Sequence, residues 1–228
     1  MAQISLTFPD GNSRSYDQGV TPADVAASIS NSLAKKAISA HVDGKHWDLQ
    51  WPIEADAAIS INTMKDEAAA NELVRHDLAH VMARAVMRLF DGVQLAFGPT
   101  IDGGFYYDFD LEYGLGEDDF AAIETEMQNI IDADEPFERI EKDRNQAVTI
   151  CRELGQALKV EHIEDGLAGH QQLSFYRQGE FLDLCRGPHV QRAGSIGSFK
   201  LLSVAGAYWK GDQSRQQLQR LYGTAFFT

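Results

Sequence analysis

Gln3-Ile4-Ser5-Leu6-Thr7-Phe8-Pro9-Asp10-Gly11-Asn12-Ser13-Arg14-Ser15-Tyr16 decides how the chain begins to fold. Ile4, Leu6 and Phe8 alternate with polar residues, the pattern of a half-buried strand. Asp10-Gly11 is a hairpin turn signal, and Ser13 to Tyr16 returns as the second strand. Thr21 then precedes Pro22 and Asp24, a helix start with proline at the first helical position, and Ala26, Ala27 and Ile29 continue that helix. Ala40-His41-Val42 and His46-Trp47-Asp48-Leu49 flank Asp43-Gly44, a second hairpin, and Ala58 to Ile61 is a last short strand.

Hairpin, helix, then further strands is the order of a β-grasp unit, placed here at residues 1–62. Residues 63–69 are charged and Ala-rich without strand pattern and read as a linker to a second domain, 70–228. That domain starts with a long amphipathic helix from about Asn71 to Phe90. Val74, Leu78, Val81, Ala85 and Leu89 recur at helical spacing, Arg75, Arg84 and Arg88 fall elsewhere, and Gly92 caps the end. Further helices are expected over Asp118–Asp132, with Phe120, Ile123, Met127 and Ile130 on one face, and over Arg144–Leu154. Strands are expected at Phe105–Phe109, Leu173–Tyr176, Glu180–Leu184 and Phe199–Ala205, so the fold class is α+β.

Of the 228 residues, 44% are hydrophobic, enough for two packed domains. There is no signal-peptide pattern and no apolar run long enough to span a membrane. Two cysteines, Cys151 and Cys185, make no disulfide framework, and a cytoplasmic setting is expected. The net charge of −14 argues against nucleic-acid binding taken alone. The charge is uneven, however. Fifteen acids between Asp102 and Asp143 face only Arg139 and Lys142, whereas Arg186, Arg192, Lys200, Lys210, Arg215 and Arg220 near the end face only Asp212. A basic face on an acidic body is compatible with that split.

His76 and His80, four apart on one helix, put two imidazoles on one face. A zinc-protease helix would need His-Glu-x-x-His, but Asp77 follows His76, and its shorter carboxylate spoils the general-base geometry. In Asp183-Leu184-Cys185-Arg186-Gly187-Pro188-His189 a thiol and an imidazole are again four apart, with Gly187-Pro188 forbidding a regular helix between them. His76, His80, Cys185 and His189 together offer either a zinc set or a metal-free set that positions water, and spacing leaves both open.

The two histidine-bearing motifs resemble the editing domain shared by threonyl- and alanyl-tRNA synthetases. Phe97-Gly98-Pro99-Thr100-Ile101-Asp102-Gly103-Gly104-Phe105-Tyr106-Tyr107-Asp108, Leu184 to Val190, Ala205 to Asp212 and Leu218 to Phe226 are similar to segments of bacterial-type threonyl-tRNA synthetases. The first sixty residues resemble the β-grasp module, TGS, that opens those enzymes. The resemblance covers essentially the whole chain, and the class II aminoacylation core and anticodon-binding domain of the family are not in it.

The resemblance implies an aminoacyl-tRNA deacylase that hydrolyses seryl-tRNA(Thr), with no aminoacylation by this chain alone. His76, His80, Cys185, His189 and Lys159 would be catalytic, with Asp183 on the substrate ammonium and Tyr107 and Phe105 lining the pocket. Lys200, Lys210, Arg215 and Arg220 would contact tRNA phosphates. No cofactor is expected here. The parent enzyme would use ATP, magnesium and zinc in its core, and would be a homodimer, with a monomer compatible with this chain. A required metal is not expected in the editing site; a zinc ion, if held, would sit on His76, His80, Cys185 and His189. A zinc-dependent hydrolase, an alanyl-type deacylase and a non-catalytic RNA-binding module are the alternatives.

Overall fold

A computed structural model describes residues 2–226. The chain divides into two compact units: residues up to Leu73 together with Gly187–Gln191, and Val74–Arg186 together with Arg192–Phe226.

In the first unit, β1 (Gln3–Thr7) and β2 (Ser13–Asp17) pair antiparallel, with Ile4 opposite Tyr16 and Leu6 opposite Arg14. The turn between them uses Gly11 at φ 81°, a left-handed conformation that glycine adopts without strain. Helix α1 (Pro22–Ile29) starts in a capping box, Thr21 Oγ1 accepting from the Asp24 N–H while Asp24 reaches back to Thr21. Ser30 ends α1 and caps α2 (Asn31–Lys36), a helix that the sequence reading did not separate. β3 (Ala37–Val42) and β4 (Lys45–Trp47) flank Asp43 and Gly44, both at positive φ, and β5 (Ala57–Thr63) closes the sheet. The strand order is β2-β1-β5-β3-β4, with β1 parallel to β5 and the other pairs antiparallel. Ile4, Leu6, Val25, Val42, Ile53 and Ile59 form its core, so strand alternation and the first helix face do bury one side.

Helix α3 runs Glu67–Leu89. The stretch expected as linker is therefore helical from Glu67, because Ala68-Ala69-Ala70 are the strongest helix formers available. From Val74 to Val86 the helix is buried on almost every side, Asp77, His80 and Arg84 included. This corrects the one-sided helix of the sequence reading. Arg84 is 1% exposed, and its guanidinium is held by Glu135 and Glu180.

The second unit continues with β6 (Gln94–Leu95), β7 (Thr100–Ile101), β8 (Gly104–Asp110), α4 (Phe120–Asp132), β9 (Glu138–Asp143), α5 (Arg144–Glu153) and α6 (Ala157–Glu161). β10 (Gln172–Gln178), β11 (Phe181–Leu184), β12 (Ser198–Tyr208) and β13 (Gln217–Phe226) complete it. One sheet has the order β12-β13-β8-β6, with β7 pairing off β8, and the other the order β11-β10-β9. On α4, Ile123, Met127 and Ile130 are buried as their spacing predicts. β9 was not foreseen. It is a charged edge strand with little apolar alternation, the composition that protects an edge from further pairing.

Candidate active site

Asp183, near the end of β11, is 3% exposed and sits at the centre of the charged groups in the second unit. Lys159 Nζ lies 2.8 Å from its Oδ1, and the Tyr107 hydroxyl donates to its Oδ2 at 2.6 Å. His80 Nδ1 lies 3.6 Å from Oδ2, and Lys159 Nζ also donates to the Tyr107 oxygen at 3.2 Å. Three elements supply these partners: α3 brings His80, β8 brings Tyr107 and the short α6 brings Lys159. Burial pushes the Asp183 carboxyl up. The Lys159 and His80 charges and the bonds from Lys159 and Tyr107 outweigh it and hold the group below its usual range. Burial, then the Asp183 charge, drives the Tyr107 phenol well above its own, so it stays a protonated donor.

One helical turn before His80, His76 stacks on it with ring centroids 5.3 Å apart, and His76 Nε2 lies 3.0 Å from Cys185 Sγ. The i, i+4 spacing thus delivers what it promised: two imidazoles side by side, one toward the thiol and one toward the carboxylate. Candidate metal-ligating atoms of His76, His80 and Cys185 all lie within 4.8 Å of one another, and two imidazoles and a thiol are zinc's preferred donors. His189 belongs with the first unit, where it is buried and its backbone N–H donates to Asp48 Oδ1 at 3.0 Å.

His76, His80, Lys159, Tyr107, Asp183 and Cys185 open onto a cavity of about 780 Å³. That volume lies within the roughly 300–1,000 Å³ of small-molecule sites. Its lining also includes Phe97, His162, His170, Arg139 and Arg186, none of them a site residue in the sequence reading. Burial, with the Lys159 charge second and the Lys210 and Arg186 charges behind it, lowers the His162 pKa. Arg186 follows Cys185 directly, and that adjacency was the one signal in the sequence that pointed to it.

Three groups of expected site residues have partners that the sequence did not disclose. Asp183 meets Lys159 and Tyr107 through hydrogen bonds and lies near His80, so this carboxylate organises the site. Phe105 is fully buried, packed so tightly over Gly223 that a Cβ there would lie 2.4 Å from its Cζ, and it is not among the cavity-lining residues. The four cations expected to meet RNA are all paired with acids. Lys200 binds Glu124, Lys210 binds Glu161 and Asp165, Arg215 binds Glu161, and Arg220 grips Asp108 through Nε and Nη2. Those acids lie 45 to 112 residues away in sequence, so a local charge count cannot see them.

Comparison with known proteins fits both units. Residues 173–222 match the threonyl and alanyl tRNA synthetase second additional domain, and residues 4–63 match the TGS domain. The chain therefore carries an editing-type second additional domain alongside a TGS domain. Over 99% of its length it is 56% identical to the threonine–tRNA ligase of Ruegeria sp. (strain TM1040), and 52% identical to that of Rhodopirellula baltica. It spans 35% and 31% of the length of those two proteins, so the chain is similar to about a third of each. No helix among the described residues is long and apolar enough to cross a membrane.

Proposed function

We propose that the second unit hydrolyses the ester of a tRNA mischarged with serine, releasing serine and tRNA(Thr). The observation that carries this reading is the pairing of His76 with Cys185, beside His80, Lys159 and Tyr107 around Asp183, on one wall of a nucleoside-sized cavity. An aminoacyl ester is already activated, so the protein has to place a water and stabilise an oxyanion. His76 and His80 position the water and one of the two imidazoles, in its neutral form, takes its proton, while Lys159, held by Asp183, faces the ester oxygen as its charge develops. Asp183 anchors the Lys159 ammonium and keeps Tyr107 aligned.

The need for such a site follows from the substrate. Serine and threonine differ by one methyl, which a synthetic pocket distinguishes by only about 1–3 kcal/mol. A second, smaller pocket removes the error because threonine's extra methyl clashes there.

A zinc ion, if bound, would be held by His76, His80 and Cys185 and would supply Lewis-acid polarisation of the ester. The water mechanism above routes no step through it. The experiment is hydrolysis of seryl-tRNA(Thr) by the chain and by His76→Ala and His80→Ala, each with and without a chelator. A loss of about a hundredfold or more in each variant, with far-UV circular dichroism retained, is the expected result. Unaltered rates in both variants would overturn the site, and abolition by chelator would replace the water mechanism with the zinc one.

A further inference from the structure

The cations around the cavity fall into committed groups and one uncommitted group. Lys159 is 4% exposed and commits its ammonium to Asp183. Arg139 donates to the Tyr176 hydroxyl at 2.9 Å, to the Arg186 carbonyl at 2.7 Å and to Glu141 at 3.2 Å. Arg186 differs from both. Its side chain is exposed on the cavity lining and, among the described residues, takes part in no ion pair or side-chain hydrogen bond. Its backbone is fixed nonetheless. Arg139 holds the Arg186 carbonyl, Ser174 Oγ donates to the Cys185 carbonyl at 2.6 Å, and the Cys185 N–H donates to the Ser174 carbonyl at 3.0 Å. The arginine thus combines a rigid root with a free guanidinium, one residue from the thiol that pairs with His76.

We propose that Arg186 is the phosphate clamp of this cavity: its guanidinium binds the phosphodiester that joins the terminal, ester-bearing nucleoside to the rest of the RNA. This rests on the deacylase reading above. On an aminoacylated RNA, the negative charge closest to the reacting ribose is that phosphodiester. A chain of net charge −14 needs a local cation to accept it. The cations of the closing segment do not provide one, since Lys200, Lys210, Arg215 and Arg220 are each held by an acid. A guanidinium offers paired N–H donors that match two phosphate oxygens, which an ammonium cannot. Arg186 grips the substrate backbone away from the ester, so it is a binding and positioning residue.

The test uses two substrates and the full chain: seryl-tRNA(Thr), which carries the phosphodiester, and the seryl ester of adenosine, which does not. For Arg186→Ala the ratio of kcat/KM on seryl-tRNA to kcat/KM on seryl-adenosine should fall about tenfold or more, through KM. Arg186→Lys should recover part of it. The slope of log affinity for tRNA against log salt should flatten by about one in Arg186→Ala. An unchanged ratio, whether from equal loss on both substrates or from no loss on either, would overturn the clamp. If wild-type chain cleaves neither ester, the deacylase reading fails first and the clamp falls with it.

Discussion

Asp183 and Glu161 are both carboxylates with three partners, and only their surroundings differ. Asp183 is 3% exposed and holds Lys159, Tyr107 and His80, each itself buried. Glu161, two residues past Lys159, accepts from Trp209 Nε1 at 3.0 Å, Lys210 at 2.8 Å and Arg215 at 2.6 Å, but its side chain is 29% exposed. Water screens the second cluster and not the first. A buried pair broken on one side leaves a stranded charge, whereas an exposed pair broken on one side simply rehydrates. The buried cluster can therefore fix the geometry of the side chains around the cavity. The exposed one mainly ties up surface cations.

The comparison is broken most forcefully at Asp183. Asp183→Ala should lower the free energy of unfolding by about 3–5 kcal/mol in urea titration, because Lys159 is left buried without its counter-charge. A loss below about 1 kcal/mol would mean that the site is wetter than its burial indicates. Next comes Gly98→Ala. A Cβ at Gly98 would lie 2.2 Å from Tyr107 Cδ2, so the ring whose hydroxyl donates to Asp183 must shift. A destabilisation of about 1–3 kcal/mol, with a fall in deacylation, is expected. Full activity with unchanged stability would show that Tyr107 does not need its place.

Acid should probe the exposed acidic clusters. Bonds from Lys210 hold the Glu161 carboxyl down at about 2, and bonds from Arg84 hold Glu180 at about 2, against an ordinary 4.5. Folded values below the unfolded one mean that this stabilisation is complete above pH 4.5 and is lost as the pH falls toward 2. The thermal midpoint should fall across that window; a flat midpoint would contradict the pairing. The smallest effect is expected from Glu161→Gln, below about 1 kcal/mol in stability. The same change should tighten tRNA binding and steepen its salt dependence, since it releases Arg215 and leaves Lys210 with Asp165 alone.

What the sequence discloses follows the range of the forces involved. The Asp10-Gly11 and Asp43-Gly44 turns, the Thr21-Pro22 helix start and the His76–His80 stack depend on neighbours within a few residues, and each is present as read. Lys159 at the site came through resemblance alone, and the structure seats it on Asp183. Helix α2 and strand β9 escaped because neither has a strong apolar period: α2 buries no residue and β9 is a charged edge. Ion pairing escaped altogether. Arg84 reads as a surface residue until Glu135 and Glu180 arrive from 51 and 96 positions away, and Arg220 reads as an RNA contact until Asp108 takes it. Arg186 was passed over for the opposite reason, since nothing marks an arginine as uncommitted until the others are seen to be engaged.

The most direct test of the central claim is the rate at which the chain deacylates seryl-tRNA(Thr) and threonyl-tRNA(Thr), measured side by side under single-turnover conditions. Rapid hydrolysis of the seryl ester with the threonyl ester spared is the result the geometry predicts. Equal hydrolysis of the two, or hydrolysis of neither at low salt with enzyme in excess, would contradict it.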